Sequence, residues 1–380
     1  MRWLLAIAIL LTSLPASAWY SDTSFQYRQK ITVDNTKVGA DLTDFPVYVN
    51  TDDLATGFYT HAQSDCDDVR ITKSDGTTEV PREIVFCDGT NGELHFKASG
   101  TLSGSSDTDF YIYYGNASAS DYATSATYGA ENVWSDYVAV WHNQEDPSGT
   151  APQILDSTDG NRDMTSGGSM TSGDLIPGKL SGYSLDFDGS NDYLTVGDDS
   201  ELDLAGTSYT YSAWFKSTNA TASPIMSKLT CCSASSSGWA VIFSTAAGDL
   251  RMLGYNSTAT VVATSASTGY DDGAWHIFHA AQDGSTRADL YIDASVAGSD
   301  TSITTLAAGT YVVNQASRGD TGTKTDVDID EVRIRASLLS ANWISTEYNN
   351  QNSSSTFYTA SAEETAPASS SGILFLWNLI

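Results

Sequence analysis

The chain has 380 residues, and 18 basic side chains stand against 47 acidic ones for a formal net charge of −29. Such a surface repels phosphate backbones, and no basic patch gathers to focus them, which excludes nucleic acid as a partner. Apolar residues come in short runs between turns rich in Gly, Ser, Thr and Asp, a pattern that leaves almost no room for a βαβ unit and predicts an all-β protein.

In chain order, Arg2 precedes the apolar stretch Trp3 to Leu14, and Ala16, Ser17 and Ala18 give the small-residue pattern of a cleavage site. Residues 1–18 are therefore expected to be a signal peptide, and the mature chain to begin at Trp19 and to be exported. The runs QYRQKITVDN, FPVYVN, DVRITKSDG, ELHFKAS and TDFYIYYGN alternate as half-buried strands and make a first block, residues 19–128. The segment NASASDYATSATYGAEN has little to bury and marks a boundary. A second block, residues 129–358, carries YSLDFDG, YLTVGD, TYSAWFK, WAVIFST, DLRMLGYN, WHIFHAAQ, ADLYIDA, TYVVNQ and DVDIDEVRIR. Short helices are expected only around Leu54 to Phe58 and from Ser340 to Asn349, where a Ser cap precedes Trp343, Ile344 and Tyr348. Residues 359–380 read as a polar linker and a short apolar tail, ILFLWNLI. The tail is far below the about 20 residues of a membrane crossing, so no span is assigned; a truncated anchor, an adventitious apolar end and a docking strand all remain open.

Export places the cysteines in an oxidising compartment. Cys66 and Cys87 bracket two neighbouring strands and are expected to form a disulfide, whereas the adjacent Cys231 and Cys232 leave their pairing open. In SLDFDGSNDYLTV, Phe187 and Tyr193 share one parity and are expected in the core if Asp188 to Asp192 turn the chain. Trp214, Trp239 and Trp275 sit in comparable strands and are weighed as core rather than as sugar-stacking platforms. The histidines are quiet: His61 and His95 are isolated, His142 follows Trp141, and His276 and His279, three apart on a strand, face opposite ways. No nucleotide-binding glycine motif occurs. Asn116, Asn219, Asn256 and Asn352 occupy N-x-[ST] sequons.

Two families are resembled. YRQKITVDN, DLTDFPVYV, DVRITKSDGTTEVPREI, TDFYIYYGN and VWSDYVAVWH resemble the DUF2341 family, which lends no chemistry. ILDSTDGNRD, GYSLDFDGSNDYLTV, YSAWFK, GAWHIFHAAQDG, ADLYIDASVAG and IDEVRI resemble the laminin-G-like branch of the concanavalin A-like lectin/glucanase superfamily. The two resemblances imply two β-sandwich domains, the second a jelly roll of a type that often binds glycans or proteins, sometimes around calcium.

Calcium takes oxygen ligands, which the loop Asp156, Asp159, Asn161 and the loop Asp186, Asp188, Asn191, Asp192 supply, as does the last strand through Asp326, Asp328 and Asp330. The resemblance brings the early loop toward the final strand, so Asp186, Asp188, Asp192 and Asp330 are the expected metal residues and Ca2+ the expected ion; solvated turn carboxylates are the competing account. A hydrolase is disfavoured, because the E-x-D-x-(x)-E pattern of the superfamily's enzymes is missing and DVDIDEVRI falls in the terminal strand. The expectation is an exported non-catalytic binding module with a polysaccharide or a cell-surface glycan or protein as partner. A structural or adhesive surface protein is the second reading, and a glycoside hydrolase a distant third.

Overall fold

The computed structural model describes residues 18–367 apart from 220–221, 230–236, 245–247, 257–259, 266, 304 and 320–321. The signal segment, Cys231 with Cys232, and the apolar tail lie outside the described residues. Two β-sandwiches account for almost all the regular structure. The first packs a sheet ordered Tyr358–Ala360, Tyr27–Val33, Thr108–Tyr114, Arg70–Lys73, Glu79–Val80 against a three-stranded sheet, Leu42–Asn50, Gly92–Leu102, Arg82–Cys87. Its core is the inward parity of those strands, including Ile31, Phe45, Val47, Ile71, Leu94, Phe96 and Ile112.

In the second sandwich, one sheet runs Leu175–Pro177, Tyr183–Asp188, Asp326–Arg335, Tyr209–Lys216, His276–Gln282, Ala288–Ile292, Ser295–Asp300, with Ala139–Trp141 also pairing on Asp326–Arg335. The facing sheet runs Thr260–Thr264, Leu250–Asn256, Ser237–Phe243, Pro224–Lys228, Val313–Gln315, Tyr193–Val196, Thr165–Gly167. Between them lie Trp141, Phe187, Tyr211, Phe215, Trp239, Phe243 and Phe278. Phe187 is in this core as expected, but Tyr193 is not. The turn 188–192 carries the chain from one sheet to the other instead of closing a hairpin, so parity is not conserved across it; Leu194 faces inward and Tyr193 lies under Lys324 Nζ at 3.9 Å.

The helix Ala341–Asn352 is capped by Ser340, whose hydroxyl accepts from Trp343 N at 3.2 Å. It ties the sandwiches together. Trp343 and Ile344 complete the first core, while Tyr348 stacks on Trp214 of the second sandwich, whose indole donates to Gln351 Oε1 at 2.6 Å. Beyond it the chain departs from the expected division at residue 358. Tyr358–Ala360 pairs with Ile31 to Val33, and Glu364–Thr365 with Tyr27 and Arg28, so the start of the anticipated linker is an edge of the first sandwich. Polar composition concealed this because an edge strand needs backbone partners more than apolar side chains.

The structure joins Cys66 to Cys87 by a disulfide, closing a loop with a sequence separation of 21. Replacing both by Ser is expected to lower the unfolding free energy by about 3 kcal/mol, measured by urea titration of the two proteins.

Candidate functional site

The strand Asp326–Arg335 sets the site. Val327 and Ile329 face the second core, and so do Val332 and Ile334; two residues, Asp330 and Glu331, therefore separate the inward sets where one would be regular. The register confirms a bulge: Trp214 pairs Asp330 but Ser212 pairs Arg333, and Glu331 has φ of 54°. Asp330, Glu331 and Arg333 all turn toward the first sandwich. Opposite them, the alternation of Gly92–Leu102 sends Leu94 and Phe96 into the first core and Glu93 and His95 into the seam. Glu83 pairs with His95 on the neighbouring strand, and His142 enters directly after Ala139–Trp141.

Glu93, His95, His142 and Glu331 are buried, with one ligand atom of each lying within 4.8 Å of all the others. His95 Nε2 is 3.2 Å from Glu93 Oε1 and 3.9 Å from Glu331 Oε2. His142 Nδ1 is hydrogen-bonded to Glu331 Oε1 and lies 3.9 Å from Glu93 Oε1, while its Nε2 contacts Glu83 Oε2 at 3.1 Å. A shell of donors holds the carboxylates. Trp134 Nε1 and Ser157 Oγ donate to Glu83, Gln144 Nε2 donates to Glu93 Oε2 at 3.1 Å, and Arg333 bridges Glu331 and Glu347.

Burial alone would drive both imidazoles neutral, and it pushes His95 well down. For His142 the Glu331 and Glu83 carboxylates outweigh burial and hold its pKa well above the usual value. Among the carboxyls, burial and the nearby Glu331 charge push Glu93 far up and Asp330 up to about 8. Glu331 opposes its own burial through His142 and Arg333 and stays low.

The four expected metal residues do not converge. Asp188 is spent on its turn, accepting from Ser190 N at 2.8 Å and Asn191 N at 3.1 Å; Asp192 accepts from Ser169 N at 3.2 Å. Asp186 pairs with Asp328 in register on the outer row. Asp330 turns into the seam, where its Oδ2 accepts from Lys179 N at 2.8 Å and Leu180 N at 3.2 Å. The early loop does come to the final strand, since Asp156 accepts from Val140 N at 3.0 Å and Val140 pairs with Arg333. Its remaining bonds, from Thr158 N and Oγ1 and from Arg162 N, hold the loop itself. His95 and His142, read as quiet, are instead the two imidazoles of the buried cluster. Glu-Leu-His at 93–95 carried half the signal, a carboxylate and an imidazole on one strand face; its partners are 47 and 236 residues beyond His95 in the chain, at His142 and Glu331.

Beside the cluster, a cleft of about 360 Å³ opens between the sandwiches. Glu83 and His142 line it, along with Gln144, Glu145, Phe86 and Leu155; Leu155 is 52% exposed. Glu145 Oε2 is buried and without a hydrogen-bond partner. Trp214 and Trp239 are fully buried and present no stacking face.

A family model described as the concanavalin A-like lectin/glucanases superfamily matches residues 188–345. The second sandwich is thus a laminin-G-like jelly roll of the concanavalin A-like type. No curated protein matches the chain. Among solved structures, it is similar to the binding domain of botulinum neurotoxin serotype C1, with 13% identity over 57% of this chain and 52% of that one and a TM-score of 0.44. The binding domain of Paraclostridial Mosquitocidal Protein 1 gives 10% identity over 56% and 52%, TM-score 0.44. The binding domain of botulinum neurotoxin DC, in complex with SialylT, gives 12% over 57% and 52%, TM-score 0.43. The chain spans about half the length of these solved chains.

Two outcomes follow from the charges. Arg333 is the buried cation common to Glu331 and Glu347, so Arg333→Met, which strands both, is expected to cost about 3–5 kcal/mol in urea unfolding. Asp186 is raised from 3.8 to about 6, by burial first and then by Asp328. A carboxyl raised on folding contributes its stability below the unfolded value and loses it as pH climbs through the folded one. Asp186→Asn is therefore expected to raise the thermal midpoint above about pH 7 and to have no effect below about pH 4, read from melting curves across that range.

Proposed function

We propose that the protein is an exported, non-catalytic binding module that takes a carbohydrate of a polysaccharide or cell surface in the cleft between its sandwiches. The carrying observation is the composition of that cleft. Phe86 and the exposed Leu155 offer apolar faces, and Glu131, Asn161 and Asp163 on the same walls offer polar groups. A pyranose has the same division, an apolar ring face and a rim of hydroxyl donors, and binding sites generally combine apolar walls with a few oriented polar groups. The concanavalin A-like match of the second sandwich supports this reading. The Cys66–Cys87 disulfide supports an oxidising, extracytoplasmic setting, and no described helix is long and apolar enough to cross a membrane. That the first sandwich is DUF2341-like rests on its sequence runs, YRQKITV and TDFYIYY among them.

Calcium retains support only in the outer row, where Asp186 lies beside Asp328; the seam, with two imidazoles among its donors, does not suit it. A glycan array on the mature protein, run in calcium and in chelator at equal ionic strength, tests both points. Binding of one glycan class that falls at least tenfold in Phe86→Ala, with the melting curve preserved, is the expected result. An array without signal, or one unaffected by Phe86→Ala, would remove the cleft as the binding site.

A further inference from the structure

We propose that Glu93, His95, His142 and Glu331 form a zinc site that ties the two sandwiches together at their seam. The donor set is two imidazole nitrogens and two carboxylate oxygens, a combination that suits zinc and not the all-oxygen ions. With metal–ligand bonds near 2.0–2.1 Å, a tetrahedral ion separates its ligand atoms by about 3.3 Å. The seam holds them close to that. Glu93 Oε1 lies 3.2 Å from His95 Nε2 and 3.9 Å from His142 Nδ1, while His142 Nδ1 and Glu331 Oε1, now in direct hydrogen bond, draw apart to admit the ion. The atoms come from both sandwiches, on strand Gly92–Leu102 of one and on the final strand and the segment after Ala139–Trp141 of the other.

The surrounding groups are placed as the outer shell of a metal centre. Glu83 takes the Nε2 side of His142, which leaves Nδ1 as the coordinating atom, the carboxylate–histidine arrangement that fixes tautomer and ring orientation. Gln144 holds the Oε2 of Glu93 and so presents Oε1, and Arg333 holds the Oε2 of Glu331 and so presents Oε1. Charge points the same way. Glu83, Glu93, Asp330, Glu331 and Glu347 place five carboxyl groups around the seam against the Arg333 guanidinium and the His142 imidazole, an acidic surrounding in which a dication can replace protons. Zinc enters as a dication, and two protons, one from His142 Nδ1 and one from the Glu93 carboxyl, leave to solvent; the His142–Glu331 and His95–Glu93 hydrogen bonds give way to bonds to the metal. Four protein donors, all buried, fill a tetrahedral ion and leave no position for substrate, so the role is structural. His142 and Glu83 also line the cleft, which gives the ion its way in.

The test uses the full mature chain, stripped with a strong chelator and titrated with Zn2+ and separately with Co2+. One equivalent per chain is expected, with the intense visible absorption of four-coordinate Co2+, bleached by stoichiometric Zn2+ and untouched by excess Ca2+. Zinc is expected to raise the thermal midpoint, and Glu93→Gln and His95→Gln each to weaken Co2+ binding at least tenfold, whereas His61→Gln, outside the seam, leaves it unchanged. If the seam variants fail to fold, the cobalt spectrum of the wild-type chain decides. A weak six-coordinate spectrum, less than one equivalent bound, or affinity preserved in folded Glu93→Gln and His95→Gln would overturn the assignment.

Discussion

Arg333 is the point from which the seam is organised. A guanidinium this deeply buried is tolerable only if carboxylates meet it with good geometry, and Glu331 from its own strand and Glu347 from the helix do so. Trp134 covers its face, 4.7 Å from ring centroid to guanidinium carbon. Glu347 in turn meets His279, and Glu331 meets His142, so the guanidinium fixes charge partners on three further elements. The bulge at Glu331 makes this possible: a regular strand would have sent Glu331 into the apolar core of the jelly roll.

The strands were legible because alternation survives local reading. Leu185 and Phe187, or Val327 and Ile329, announce a buried face in a few residues each. The helix after Ser340 was equally clear from its cap and its apolar positions. Legibility ended where the determinant was nonlocal. Parity failed at Tyr193 because the turn before it changes sheets, and at Glu331 because a bulge adds one residue to the strand. Oxygen-rich loops looked like metal ligands, yet Asp156, Asp188 and Asp192 spend their lone pairs on backbone N–H groups, as Asp does in turns generally. His95 and His142 looked isolated since nothing in their neighbourhoods records that two different sandwiches bring them together, rings stacked with centroids 5.2 Å apart.

The seam differs from the flat, polar contact expected between domains on a flexible linker. Asn350 on the helix bonds both the N–H and the C=O of Tyr48, and Tyr48 in turn meets Ser181 of the jelly roll. Backbone, side chains and buried charge all cross it, so the orientation of the sandwiches, and with it the shape of the cleft, is set by the same contacts that stabilise them.

The strand pairing of the first sandwich with the end of the described chain carries a consequence for biogenesis. Arg28 finds Glu364 at a separation of 336 residues. During vectorial synthesis or export the amino-terminal segment emerges first, and until residues 358–365 follow, Tyr27–Val33 has an open flank and the adjoining core lacks Trp343 and Phe357. Contacts of such long range form late and slowly. The first sandwich therefore cannot mature as an autonomous unit ahead of the second, and the nascent chain has to be kept from edge-to-edge association for the whole time its jelly roll is being delivered.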